Sequence, residues 1–249
     1  MSSIAKKILV IRNDRLGDFV LSLPCFALLK QAQPNSYIYA LVPKYTAPIA
    51  EHCPWIDEVI IDTQHGWLNF VRLLKNIRRK KITAAISLFS TLRIGRLVYL
   101  ANIPYRLAPK TKLAQIFYNH KLRQKRSLSV KSEYQYNLEL MCYYLKLDPL
   151  THQLPPAPFI QFDQKIIEQG KTKFMTDNNL DAKQPLIFIH PSTGGSAKSL
   201  TTEQWLLLIQ LLAQNSVNIV LCAGPNEKTA VVALEQLLKQ INISVTLYH

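Results

Sequence analysis

Apolar residues in this chain follow two rhythms that take turns. Short unbroken runs alternate with longer stretches in which apolar residues recur every three or four positions. "KILVIR" (7–12) is the first run, the pattern of a strand covered on both faces. Residues 18 to 32 follow with Phe19, Leu23, Phe26, Ala27 and Leu29 at helical spacing, and Pro24 should start or kink the regular part. "YIYALV" (37–42), "EVIIDT" (58–63) and "TAAISLF" (83–89) read as further strands. "WLNFVRLLKNIRRK" (67–80) and "LRIGRLVYLA" (92–101) read as the helices that follow the last two. Alternation of this kind builds a parallel sheet with helices on both faces.

The rhythm lapses over residues 105–130, which are basic and less periodic. "SEYQYNLELMCYYLKL" (132–147) is a helix, and "DPLTHQLPPAPF" then brings four prolines in twelve residues, the composition of a semi-rigid linker. After a polar helical stretch the alternation resumes. Strands are expected at 185–191, 218–224 and 243–248, with helices at 201–214 and 229–240. The expected architecture is α/β, with two doubly wound domains at 1–154 and 155–249. The second has three strand-like runs, fewer than such a domain normally needs to cover its edges.

Composition narrows the class. At 48% apolar and 18% charged residues the chain is globular rather than disordered. A formal charge of +14 favours an anionic partner: nucleic acid, a phosphorylated glycolipid or an anionic membrane face. Cys25, Cys53, Cys142 and Cys222 are widely spaced and form no C-x-x-C pair, so neither a zinc site nor a disulfide framework is expected. They read as buried thiols in a reducing cytosol. The apolar run "ILVI" is too short for a signal peptide, and no run approaches the ~18–20 apolar residues of a spanning helix. The expectation is a soluble, cytoplasmic chain.

Ligands in open α/β sheets gather at the carboxyl ends of strands. That position holds "RNDRLGD" after the first strand and "HPSTGGSAK" after the strand at 185. In the second segment Thr193, Gly194, Gly195 and Ser196 precede Lys198. Paired glycines, hydroxyls and a lysine are the parts of a phosphate cradle, although a polar glycine-rich loop has the same composition. The GxxxxGK[ST] and GxGxxG fingerprints are absent. Thr201 and Gln204 have the spacing of a capping box. Asp18, at a strand-to-helix turn, reads either as a helix N-cap or as a general base beside the permissive Gly17.

These segments resemble the heptosyltransferases of glycosyltransferase family nine. "ILVIRNDRLGDFVLSLPCFALLKQAQP" is similar to that family's N-terminal signature, and "HCPWIDEVIIDT", "KSEYQYNLELMCYYLKL", "IFIHPSTGGSAKSLTTEQW" and "VLCAGPNEK" are similar to its later motifs. The resemblance implies a GT-B fold of two Rossmann-like domains. It implies an ADP-sugar donor on the C-terminal domain and an inner-core lipopolysaccharide acceptor on the N-terminal one. Transfer would invert the anomeric carbon and would use no metal and no cofactor, in keeping with the lack of an Asp-x-Asp motif. Asp18 maps to the base, Lys198 to the diphosphate, and Glu227 to the ribose or adenosine. The family's later Asp-Thr/Ser-Gly segment followed by His does not occur before His249, so weak donor binding and little or no transfer are expected of these 249 residues.

The basic residues divide. "KNIRRKK" (75–81) reads as a solvated face. Lys112, His120, Lys121, Arg123, Lys125 and Arg126, together with Arg15, are the expected contacts to the carboxylates and phosphates of an inner-core acceptor. The same face allows peripheral contact with the anionic inner face of the inner membrane. The competing reading is a basic binding module without catalysis, or an inactive partner of an intact transferase. No helix-turn-helix, zinc-finger or RNP pattern supports specific nucleic-acid binding.

Overall fold

In a computed structural model the described residues are 5–63, 66–110, 113–149, 156–192, 198–224 and 227–248. The chain forms two compact units, 1–162 and 163–249. Phe159 and Ile160, on the far side of the expected division at 154, pack against the core of the first unit.

The first unit runs β1 (Lys7–Ile11), α1 (Leu16–Val20), α2 (Leu23–Ala32), β2 (Tyr37–Pro43), α3 (Ala47–Glu51), β3 (Glu58–Asp62), α4 (Trp67–Lys80), β4 (Ala84–Ser87), α5 (Leu92–Leu100), β5 (Tyr105–Pro109), β6 (His120–Leu122) and α6 (Glu133–Leu145). Two short 3-10 turns lie at Leu113–Phe117 and Arg126–Leu128. All pairings are parallel, in the order β3-β2-β1-β4-β5-β6. This is the strand order of a dinucleotide-type doubly wound sheet.

Strand β1 shows why its unbroken apolar run was needed. Ile8 and Val10 face a layer built with Phe26 and Leu29 of α2, Ala50 of α3 and Met141 of α6. Leu9 and Ile11 face the opposite layer with Leu73 and Ile77 of α4 and Leu97 of α5. All four strand residues are fully buried. Pro24 sits in the first turn of α2, where its missing N–H costs nothing, and the chain breaks between α1 and α2 at Leu21–Ser22. Gly95 permits close packing of α5: a Cβ there would stand 2.8 Å from the Phe117 ring. The basic residues at 75–81 belong largely to the last turn of α4, where cations complement the helix dipole. Arg78 donates to the Leu100 carbonyl, and Lys80 pairs with Glu58.

The second unit runs α7 (Gln164–Asp177), β7 (Leu186–Ile189), α8 (Thr202–Ala213), β8 (Asn218–Cys222), α9 (Lys228–Gln240) and β9 (Thr246–Tyr248), with a parallel sheet ordered β7-β8-β9. Ile189, Ile209, Ile219, Leu221, Val231, Leu234 and Leu238 form its core. On the other face the Phe174 ring of α7 meets Phe188 at 5.6 Å and Tyr248 at 5.4 Å. Thr201 and Gln204 form the capping box that opens α8. Two features ran against the expectation for 105–130: β5 and β6 extend the first sheet through that basic stretch.

Candidate active site

Strand order reverses between β1 and β4, and the segment leaving β1 at that point is Arg12–Arg15. Arg12 is 3% exposed and sits at the centre of a charged cluster. Its Nε and Nη2 donate to the two carboxylate oxygens of Asp14, both at 2.8 Å. Its Nη1 donates to Glu133 Oε1 at 2.7 Å and to Asn137 Oδ1 at 3.1 Å, both on α6. Its Nη2 also lies 3.3 Å from Asp18 Oδ1. Arg126 Nη1 donates to the same Glu133 oxygen at 2.6 Å, and its Nε to Gln124 at 3.0 Å.

Burial and charge oppose each other here. Burial alone would lower the Arg12 pKa, but Asp14 and Glu133 outweigh it and the net direction is up. Burial raises the Asp14 pKa against the pull of Arg12. Arg126 shifts down, first through burial and further through Arg12, with Glu133 opposing. Two guanidiniums thus face three carboxylates, which differ in what they receive. Asp14 takes a bidentate fork, Glu133 takes both arginines, and Asp18 has one 3.3 Å contact and the greatest exposure of the three, 31%. Asp18 is therefore the carboxylate with acceptor capacity left for another group. The N-cap of α1 is Arg15, and Asp18 lies inside the first turn, so Asp18 is not the cap.

The other expected contacts on this unit separate. Arg126 is committed to the cluster. His120 and Lys121 lie on β6, three strands from β1 and so roughly 14 Å away across the sheet. The His120 ring stacks on Tyr105 at 3.9 Å. Lys121, Arg123, Lys125 and Arg15 are exposed. Lys112 lies outside the described residues.

On the second unit, Thr193, Gly194, Gly195 and Ser196 lie outside the described residues, and Lys198 is exposed. His190, just past β7, faces Ser192 O through Nδ1 at 2.8 Å and Glu227 Oε2 through Nε2 at 3.4 Å. That Glu227 oxygen accepts the Gly224 N–H at 3.0 Å, and a Cβ on residue 224 would stand 2.8 Å from it, so a side chain there would push the Glu227 carboxylate aside. The carboxyl ends of β7 and β8 are thereby joined. A cavity of about 440 Å³ beside them is lined by Ser192, Ser199, Trp205 and Ala230, among others. Among the described residues no cluster of His, Cys, Asp and Glu is placed to hold a metal ion. None of their helices is long and apolar enough to cross a membrane.

The sequence pointed to Asp18 and Glu227 but missed Arg12, Asp14, Glu133 and Asn137. One signal was present: a charged residue, Arg12, directly continues a fully buried strand. Its partners on α6 are more than 120 positions away, and no local pattern reports them.

The model of glycosyltransferase family 9 (heptosyltransferase) matches residues 70–247. The chain belongs to that family. It is 41% identical over 242 residues to a Haemophilus influenzae relative whose name assigns it only to the glycosyltransferases, covering 96% of this chain and 70% of the relative. It is 24% identical over 230 residues to lipopolysaccharide heptosyltransferase 2 of Salmonella typhimurium, covering 90% and 65%. The structure of E. coli ADP-heptose lps heptosyltransferase II superposes with a TM-score of 0.75 at 18% identity, covering 93% of this chain and 69% of that one. This family 9 chain spans about two-thirds of the length of these relatives. The fold is of the GT-B kind, and the class of chemistry is glycosyl transfer.

Proposed function

We propose that the chain transfers heptose from ADP-heptose to an inner-core sugar of lipopolysaccharide, inverting the anomeric carbon without a metal. The names of the Salmonella and E. coli relatives support the donor and acceptor class. The observation that carries the reading is Asp18: a carboxylate at the switch point of the sheet, held by one long contact and part-exposed. The acceptor hydroxyl gives its proton to Asp18 as its oxygen bonds to the anomeric carbon. The bond from that carbon to the diphosphate oxygen breaks on the opposite face, and its electron pair leaves with ADP. Lys198 and the loop of Thr193, Gly194, Gly195 and Ser196 take the diphosphate charge, and Glu227 takes the ribose side. Arg15, Lys121, Arg123 and Lys125 collect the anionic acceptor. The reaction belongs in the cytoplasm, at the inner face of the inner membrane.

The test is an incubation of the purified chain with ADP-heptose and heptose-deficient core oligosaccharide, followed by NMR of the product. Slow transfer with inverted anomeric configuration is expected. Retention of configuration, or no ADP release above a donor-only control, contradicts the reading.

A further inference from the structure

We propose that His190 is a positioning residue for Glu227: its protonated ring holds the Glu227 carboxylate at the joined ends of β7 and β8, and loss of the proton releases it. The consequence is a nucleotide site on the second unit whose grip tightens as pH falls. This role rests on the reading that Glu227 takes the ribose side of the donor.

Geometry fixes which form of the ring makes the contact. His190 directly follows β7, and its Nδ1 lies 2.8 Å from Ser192 O. A carbonyl oxygen only accepts, so Nδ1 carries a hydrogen. Nε2 is left to face Glu227 Oε2 at 3.4 Å. In a neutral ring Nε2 would turn a lone pair toward a carboxylate oxygen, and the two would repel. With Nε2 protonated as well, the ring donates from both nitrogens and the pair attracts. Imidazolium makes this contact and imidazole does not.

Glu227 stands where such a hold matters. It is the N-cap residue of α9, at the carboxyl edge of β8, where ligands of open α/β sheets gather. Its side chain makes no capping bond to α9, and Oε2 turns back to accept the Gly224 N–H. The carboxylate side chain is 15% exposed and the ring 50%, so His190 can trade its proton with solvent while Glu227 stays shielded. The charged and titratable groups on the surrounding elements are Lys198 before α8, Glu203 in its first turn, Cys222 ending β8, Lys228 opening α9 and Tyr248 ending β9. Among the described residues Glu227 alone pairs with the ring.

Two measurements follow the carboxylate and the nucleotide separately. In a chain carrying 15N in its seven glycines, the Gly224 amide reports the position of Glu227 Oε2. Between about pH 5 and pH 8, where imidazole changes charge, that signal should move in the unaltered chain and stay still in His190→Gln and Glu227→Gln. The remaining glycine signals show that each variant is folded. Calorimetry uses ADP-glucose, whose diphosphate diester keeps its charge over this range. Binding should be about tenfold weaker at the higher pH, the loss of one charge-assisted hydrogen bond. His190→Ala should bind at the weak level at both pH values. His190→Gln, whose amide donates to Glu227 without a charge, should be independent of pH and tighter than His190→Ala. A Gly224 signal that ignores pH, or that moves equally in His190→Gln, overturns the proposal. ADP-glucose affinity that is equal at both pH values, or unaffected by His190→Ala, also overturns it and leaves the donor reading in place. No ADP-glucose binding at either pH, with the Gly224 signal behaving as expected, removes the donor reading and the positioning role with it.

Discussion

Strands β1 and β7 each open a unit and lead into a candidate ligand loop, yet they are built differently. β1 has a hydrogen-bonded neighbour on both sides, and Ile8 through Ile11 are wholly buried between two helical layers. Among the described residues β7 pairs only with β8, and its Phe188 is 54% exposed. The loop after β1 is fixed by buried charge: Arg12 links Asp14, Asp18 and α6. After β7 the link is the exposed His190 against Glu227. The site proposed to hold the base in one orientation is built on the doubly flanked strand. The site expected to grip a diphosphate by charge sits on the strand paired on one side.

The comparison breaks first at Arg12. Arg12→Met takes the bidentate partner from part-buried Asp14 and leaves Glu133 to Arg126 alone; breaking a fully buried ion pair costs about 3–5 kcal/mol, and the partial exposure of both carboxylates puts this loss at the low end of that range or below it. Hydrogen exchange should show the loss in residues 1–162, with protection in 163–249 unchanged. Equal loss in both units would make the cluster a global support.

A smaller effect is expected at Gly95. The 2.8 Å approach to Phe117 means Gly95→Ala must shift that ring, at about 1–3 kcal/mol. Denaturant unfolding followed by first-unit exchange checks it. On the second unit, Thr201→Ala removes the reciprocal cap of α8 and should cost about 1 kcal/mol there alone.

The smallest effect concerns thiols. Burial pushes Cys53 up to about 11 and raises Cys25 and Cys142 as well. A raised thiol pKa leaves little thiolate at pH 8, and labelling quickens only as pH climbs toward that value. Cys222 is also raised by burial but is only part-buried, so iodoacetamide at pH 8 should label it before the other three. Cys25 reacting first would mean the core around β1 opens more readily than the second unit.

Much of the fold was legible because buried parallel strands are unbroken apolar runs, and β1, β2, β4 and β8 have that signature. β5 was hidden because "YRLAP" carries an arginine and a proline, and β6 because three residues, "HKL", make no pattern. The five-residue α3 opens with Ala-Pro and is too short for a period. The site divides the same way. Asp18 stood out at a strand-to-helix turn. What holds it did not, because Glu133 and Asn137 reach Arg12 only through the packing of α6. Arg93 and Arg96 fell inside the helix read at 92–101 with nothing in the sequence to single them out, and only the structure sets them beside Trp67.

The central claim is that the Arg12 cluster presents Asp18 as the base for transfer. The most direct measurement compares Asp18→Asn with the unaltered chain for the rate of heptose transfer and for ADP affinity by calorimetry. The account predicts a ~10²- to 10⁴-fold lower rate with ADP affinity unchanged. An unchanged rate in a folded Asp18→Asn chain would contradict it.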